Sequence, residues 1–161
     1  MKKILLAIVL IIIIIYSLCY LIFPEEIVLL QVKKENLSIN NLLSKQPIII
    51  ENKINREYID KIFKFNLISK IKKNNIWNRT NNKYTLFFAK NDTTIFISNP
   101  KKIKYEEPTK NDIVIEIKIK KDQSLILPYK WYYSLDNKNQ IIKYGIHDYI
   151  TYIYNIIFSF F

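Results

Sequence analysis

The stretch Ser124–Leu135, SLILPYKWYYSL, carries the clearest strand–turn–strand pattern in the chain. An apolar run enters Pro128, turns over Lys130 and leaves through Trp131, Tyr132 and Tyr133. Proline cannot donate to a sheet ladder, so Pro128 marks the end of one strand. Lys130 takes the turn. Strand alternation then sets Trp131 and Tyr133 on one face of the next strand and Tyr132 on the other. Two uses follow for that aromatic face. It fills a core, because large rings dominate core burial, or it forms the wall of a pocket.

Outward from this stretch, Asp112–Lys120, DIVIEIKIK, reads as a half-buried strand. Ile113, Ile115, Ile117 and Ile119 fall on one face, and Glu116, Lys118 and Lys120 on the other. Further strands are expected at Ile27–Lys33, Ile48–Glu51, Tyr84–Ala89, Thr94–Ser98, Ser124–Leu127, Trp131–Leu135 and Gln140–Tyr144. Asn55 is placed to cap a helix carrying Tyr58, Ile59, Ile62 and Phe63. A second helix is expected from near His147 and Asp148, with Ile146, Tyr149, Ile150, Ile153, Tyr154 and Ile157 at helical spacing. Many strands with short polar connections indicate an antiparallel sandwich or barrel with a few short helices, a mainly β (α+β) domain. No repeat and no Gly/Ser linker divides it.

Composition is skewed. The chain has 161 residues, among them 34 Ile, 23 Lys and 17 Asn against two Arg, one Gly and one Met. These favoured residues have A/T-rich codons, so the bias marks an AT-rich genome before it marks a function. The formal charge is +11. Nucleic-acid binders cluster their basic residues and use Arg for bidentate contacts. Here the lysines are scattered, which points away from nucleic acid and toward a solvated surface. Cys19 is the single cysteine, so no intrachain disulfide can form.

Residues 4–23, ILLAIVLIIIIIYSLCYLIF, are twenty uncharged positions, fifteen of them Ile, Leu, Val or Phe. A continuous helix of that length rises about 30 Å, the thickness of a hydrocarbon core. The expectation is a transmembrane signal-anchor at 4–23, a short cytosolic tail at 1–3 and one domain at 24–161. Lys2 and Lys3 precede the span, which favours a cytosolic amino terminus and a lumenal or exterior domain. Sequons at Asn36, Asn78 and Asn91 agree with that orientation as possible glycosylation sites. The uncharged tail at 149–161, YITYIYNIIFSFF, is too short to span a bilayer. It reads as a helix docked on the sheet or as an interfacial element.

KDQSLILPYKWYYSL resembles the carboxy-terminal signature of the cupin-like and Jumonji-type oxygenase families. The order of the Lys121-Asp122 turn, the Leu125–Leu127 strand, Pro128 and Trp131-Tyr132 carries the likeness. SKQPIIIENKI resembles the entry strand of those families, where a Pro precedes a run of β-branched residues, and IFISNPKK their apolar strand ending in Pro. The arrangement is also similar to uncharacterised small single-pass proteins of AT-rich giant DNA viruses. The resemblance implies a cupin-like barrel. It departs from the family at the chemistry, because Tyr133 stands where the family has its last His. A 2-His-1-carboxylate iron site needs two imidazoles, and this chain has one. Zinc lacks partners for the same reason. No cofactor is expected.

Trp131, Tyr133, His147 and Asp148 remain as a candidate pocket wall. The acidic pairs Glu25-Glu26 and Glu106-Glu107 fall on loops, where adjacent carboxylates point apart. A single glycine excludes a P-loop or a dinucleotide fingerprint. The leading expectation is a membrane-anchored, non-catalytic binding or structural domain. Its partners would be the lipid bilayer and another membrane or virion protein. Two alternatives stay open: an oxygenase whose unusual ligand set includes His147, Asp148 or Tyr133, and a basic domain that binds anionic lipid or nucleic acid.

Overall fold

The computed structural model describes residues 2–20, 22–72, 76–99, 107–109, 112–136 and 140–158. Leu21, Pro100–Lys102, Glu106 and the tail residues 159–161 lie outside the described residues. The chain is mainly β, with two sheets and, among the described residues, four α-helices. The helices are α1 (Lys2–Cys19), α2 (Ile39–Leu43), α3 (Arg56–Ile62) and α4 (Tyr149–Phe158). The first five strands are β1 (Leu30–Val32), β2 (Ile48–Ile50), β3 (Leu67–Lys70), β4 (Asn78–Arg79) and β5 (Tyr84–Ala89). The others are β6 (Thr93–Ser98), β7 (Ile115–Ile119), β8 (Ser124–Pro128), β9 (Tyr132–Leu135) and β10 (Ile141–His147). One sheet runs β1-β2-β8-β5-β10-β3 and the other β4-β9-β6-β7. All pairs are antiparallel except β1 with β2.

Period-two alternation explains the layering. In β8, Leu125 and Leu127 face the second sheet, where they meet Ile95, Ile97 and Ile117. Ile126 points the other way, into a cluster with Leu42 of α2, Ile59 of α3 and Phe63. Phe87 and Leu86 of β5 divide in the same manner, as do Ile49 and its neighbours Ile48 and Ile50. The six-stranded sheet is therefore the middle layer, apolar on both faces. Strands buried on both sides read as continuous apolar runs, which is why III and LILP lack polar alternation.

The chain passes between sheets at Pro128–Trp131. Lys130 adopts φ 67°, the left-handed region, and completes the turn expected for it. Thr80, 1% exposed, holds this crossing with three bonds. Its hydroxyl donates to the Pro128 carbonyl at 2.6 Å. Its N–H donates to Trp131 O at 2.8 Å, and its carbonyl accepts from Lys130 N at 2.7 Å. Trp131, Tyr132 and Tyr133 are all buried. Trp131 and Tyr133 join the core between the sheets. Tyr132 is on the other side, with the Arg79 guanidinium 5.1 Å from its ring centre.

The amino-terminal segment corrects the largest expectation. Among the described residues, no helix is long and apolar enough to cross a membrane. The physical reason is where α1 stops. Its uncharged part runs from Ile4 to Cys19, a rise of about 24 Å against the roughly 30 Å of a hydrocarbon core. Tyr20 N–H turns back to Ser17 O, and Pro24 follows. The single-pass membrane assignment, the signal-anchor and the lumenal or exterior placement that rest on a 4–23 span fall with it.

Smaller differences have local causes. The strand expected over Ile27–Lys33 shrinks to Leu30–Val32 because the Gln46 side chain takes the backbone on either side of Ile27. It accepts from Val28 N and donates to Glu26 O. Ile113 precedes β7 and is 54% exposed, so it leaves the apolar face assigned to it. Ile146 belongs to β10 and is fully buried, so the last helix begins at Tyr149. Tyr149, Tyr152, Ile153 and Ile156 of α4 are exposed.

Thr80→Val should lower stability by about 1–3 kcal/mol, since it leaves the buried Pro128 carbonyl short of a donor. Thr80→Ser should retain most of it; urea denaturation checks both. Gly145, the only glycine, would place an added Cβ 2.7 Å from the Asn82 side chain. Gly145→Ala should therefore cost about 1–3 kcal/mol through overpacking, read in the same denaturation curves.

Candidate functional site at the root of the apolar helix

The carboxy-terminal end of α1 meets the β domain through polar groups. Asp148 stands at the start of α4, where its Oδ1 accepts from Thr151 N at 2.9 Å, an N-cap arrangement. Its Oδ2 accepts from the Tyr16 hydroxyl at 2.6 Å and also from the Tyr20 hydroxyl. The Lys83 ammonium is 3.4 Å from the same carboxylate and donates to Tyr16 Oη at 3.2 Å. On the other side of the helix end, Lys45 donates to the carbonyls of Cys19 and Ile22. A cation there satisfies orphan carbonyls and opposes the negative end of the helix dipole. Lys45 itself has φ 54°.

These contacts border a partly open cavity of about 120 Å³ walled by Tyr16, Cys19, Tyr20, Phe23, Leu42 and Tyr129, among others. The Tyr20 and Tyr129 rings meet edge to face, centres 5.4 Å apart. Burial raises the Tyr20 hydroxyl well above the usual phenol range, and its bond to Asp148 adds to this. Burial alone opposes ionisation of Asp148. The hydroxyls of Tyr16 and Tyr20 and the N–H and hydroxyl of Thr151 outweigh it and bring the carboxyl down to about 2. Desolvation also lowers the Lys45 ammonium.

The four residues proposed as one pocket wall serve three different settings. Trp131 and Tyr133 are packed between the sheets. Tyr133 meets Phe87 edge to face at 4.8 Å, and burial pushes its hydroxyl up to about 12. Lys143, itself buried, lies 5.6 Å from the Tyr133 ring centre. His147 ends β10 opposite Leu67, with Nε2 3.4 Å from Ser69 Oγ. Burial holds its imidazole below the ordinary value, although the neighbouring Asp148 acts in the other direction. Asp148 alone joins the helix root.

Among the described residues, no group of three or more His, Cys, Asp or Glu side chains is arranged to hold a metal. Asn36 and Asn91 are exposed. Asn78 is half-buried in β4 opposite Tyr133, and the Thr80 of its sequon is the core clamp.

Tyr16, Tyr20, Lys45 and Lys83 were not legible as a site, because Asp148 lies 128 residues beyond Tyr20. The available signal was local: Tyr16 and Tyr20 are four apart and end the aliphatic run that reaches Ile15. The architecture is thus a mainly β chain of two facing sheets with an apolar helix latched to it through a carboxylate. No protein-family model, characterised protein or solved structure matches this chain.

The latch should depend on pH. The Asp148 carboxyl titrates lower in the folded chain, about 2, than its ordinary 3.8. Its contribution is therefore complete above roughly pH 4 and is lost as pH falls through about 2. After allowance for solvent screening it amounts to about 1–2 kcal/mol. Asp148→Asn should reduce hydrogen-exchange protection at Tyr20 and Ile22 at pH 7 and flatten the loss of protection that the native chain shows below pH 4.

Proposed function

We propose that this chain is a non-catalytic structural protein, in which copies of a β-sandwich module are brought together by α1. The observation that supports this is the exposure of α1. Its apolar side chains from Ile4 to Ile15, other than Ala7, are between 45% and 67% exposed. Residues at every helical angle contribute, so the apolar surface surrounds the helix. A helix that is apolar all round requires cover on all sides. Its root is fixed to the domain by Asp148 and Lys45, so whatever covers α1 also positions the β module.

A multi-helix bundle of copies covers the face of α1 turned to its neighbours, such as that of Ile8, Ile11, Ile12 and Ile15. Isoleucine-rich helix seams favour three or four strands over two, and Ile11–Ile15 is an unbroken run of that residue. The module itself supports a structural role. Trp131 and Tyr133 fill the space between the sheets, and the chain's one histidine is half-buried beside Ser69 and Tyr152.

Sedimentation of the full chain tests the proposal. One discrete oligomer, of three or four copies, is expected at tens of micromolar protein. Replacing Ile8, Ile11, Ile12 and Ile15 by Gln should yield folded monomers with the same near-ultraviolet spectrum. A monomeric native chain, or aggregates without a defined stoichiometry, would overturn it.

A further inference from the structure

A separate groove opens where the helical layer stops short of the sheet. The seven residues of α3 rise about 10 Å, whereas the six of β5 extend about 20 Å. The uncovered end of β5 and β10 leaves a concavity of about 370 Å³. Its floor is apolar and aromatic. Ile54 and Ile59 are buried there, while Phe88, Ile142 and Tyr144 are half-buried. The Phe88 and Tyr144 rings meet edge to face with centres 5.5 Å apart.

The rim is cationic. Lys53, Arg56, Lys90 and Lys121 line it against one carboxylate, Asp122. Four positive charges stand against Asp122 on the rim and against Asp60 and Asp92 beside it, a net +1. Lys53 is 3.5 Å from Asp122, and Arg56 pairs with Asp60 at 3.0 Å. Lys90 and Lys121 make no ion pair through their ammonium groups with a carboxylate among the described residues. Their backbones are held in place. Lys90 N donates to Gln140 O and Asp122 N to Ala89 O, while Lys121 N donates to Asp92 Oδ1 at 2.7 Å. Two lysines from different turns thus line the same cavity as Phe88 and Tyr144. Scattered lysines are ordinary in this chain; here two of them, Lys90 and Lys121, line one cavity with the half-buried rings of Phe88 and Tyr144. A concave apolar surface with a few polar groups at its edge is the usual form of a small-ligand site.

We propose that this groove binds a phosphate monoester with an apolar body. Lys90, Lys121 and Arg56 would hold the phosphate, and the body would lie on Phe88 and Tyr144. Alkyl phosphates and mononucleotides share that chemistry. The aliphatic and aromatic sources are separated by using octyl phosphate, below its micelle concentration, and adenosine monophosphate as probes, with inorganic phosphate as the third.

Calorimetric titration of the full chain is the test. At least one organic probe should bind with Kd below about 1 mM, at least tenfold more tightly than inorganic phosphate. The double substitution Lys90→Glu and Lys121→Glu, both on exposed side chains, should weaken that probe about tenfold or more while leaving the thermal midpoint within a few degrees. Ile142→Gln should weaken the organic probe without changing the inorganic one. Three results would overturn the proposal: no binding of either organic probe, equal affinity for inorganic phosphate, or organic binding unchanged by the lysine reversal. The last would place the probe on another apolar surface, α1 included.

Discussion

The crossing of the chain from one sheet to the other, held by Thr80, is the constraint on which the module depends. Pro128 closes β8 in the middle layer, Lys130 turns through positive φ, and Trp131 enters the inter-sheet core. Both carbonyls flanking the turn, at Pro128 and Trp131, are satisfied by one residue. Without that clamp, buried backbone groups would be left without partners at the point where two sheets must be joined. The core on either side follows from this crossing. Phe87, Leu125, Leu127 and Tyr133 can meet only if β8 and β9 belong to facing sheets.

A second organisation is polar and lies at the root of α1. Asp148 serves two elements at once, capping α4 through Thr151 and receiving hydroxyls from Tyr16 and Tyr20. Lys45 closes the other side by taking helix carbonyls. These bonds give the helix a defined attachment although its aliphatic side chains from Ile4 to Ile15 are exposed. The contrast between a polar root and an apolar shaft is the basis for regarding α1 as an assembly element. The basic groove near Phe88 and Tyr144 is built from other residues and stands apart from that role.

Much of the β architecture was legible because alternation is a short-range property. Ile48–Glu51, Tyr84–Ala89, Thr94–Ser98 and Ser124–Leu127 each correspond closely to a strand. The Asn55 cap was also legible, since Asn55 Oδ1 accepts from Tyr58 N three residues away. Strands β3 and β4 were not, because Leu67–Lys70 and Asn78–Arg79 lack alternation and form by pairing with β10 and β9. The candidate site was hardly legible. His147 and Asp148 are adjacent in sequence, yet one faces Ser69 and the other faces α1. Trp131 and Tyr133 show their common face in the sequence, but what lies opposite that face is set by the second sheet.

By itself the sequence determined most of the strand segments, β3 and β4 excepted, the Pro128–Lys130 turn, the shared face of Trp131 and Tyr133, and the aliphatic character of residues 4–15. These depend on side-chain type and on periods of two or a few residues. The tertiary structure decided where α1 ends, because the end is made by Lys45, Asp148 and a turn at Tyr20. It also decided which apolar runs became a middle layer and which lysines gathered over Phe88 and Tyr144. Those outcomes require groups tens of residues apart to meet, and no local pattern specifies such meetings.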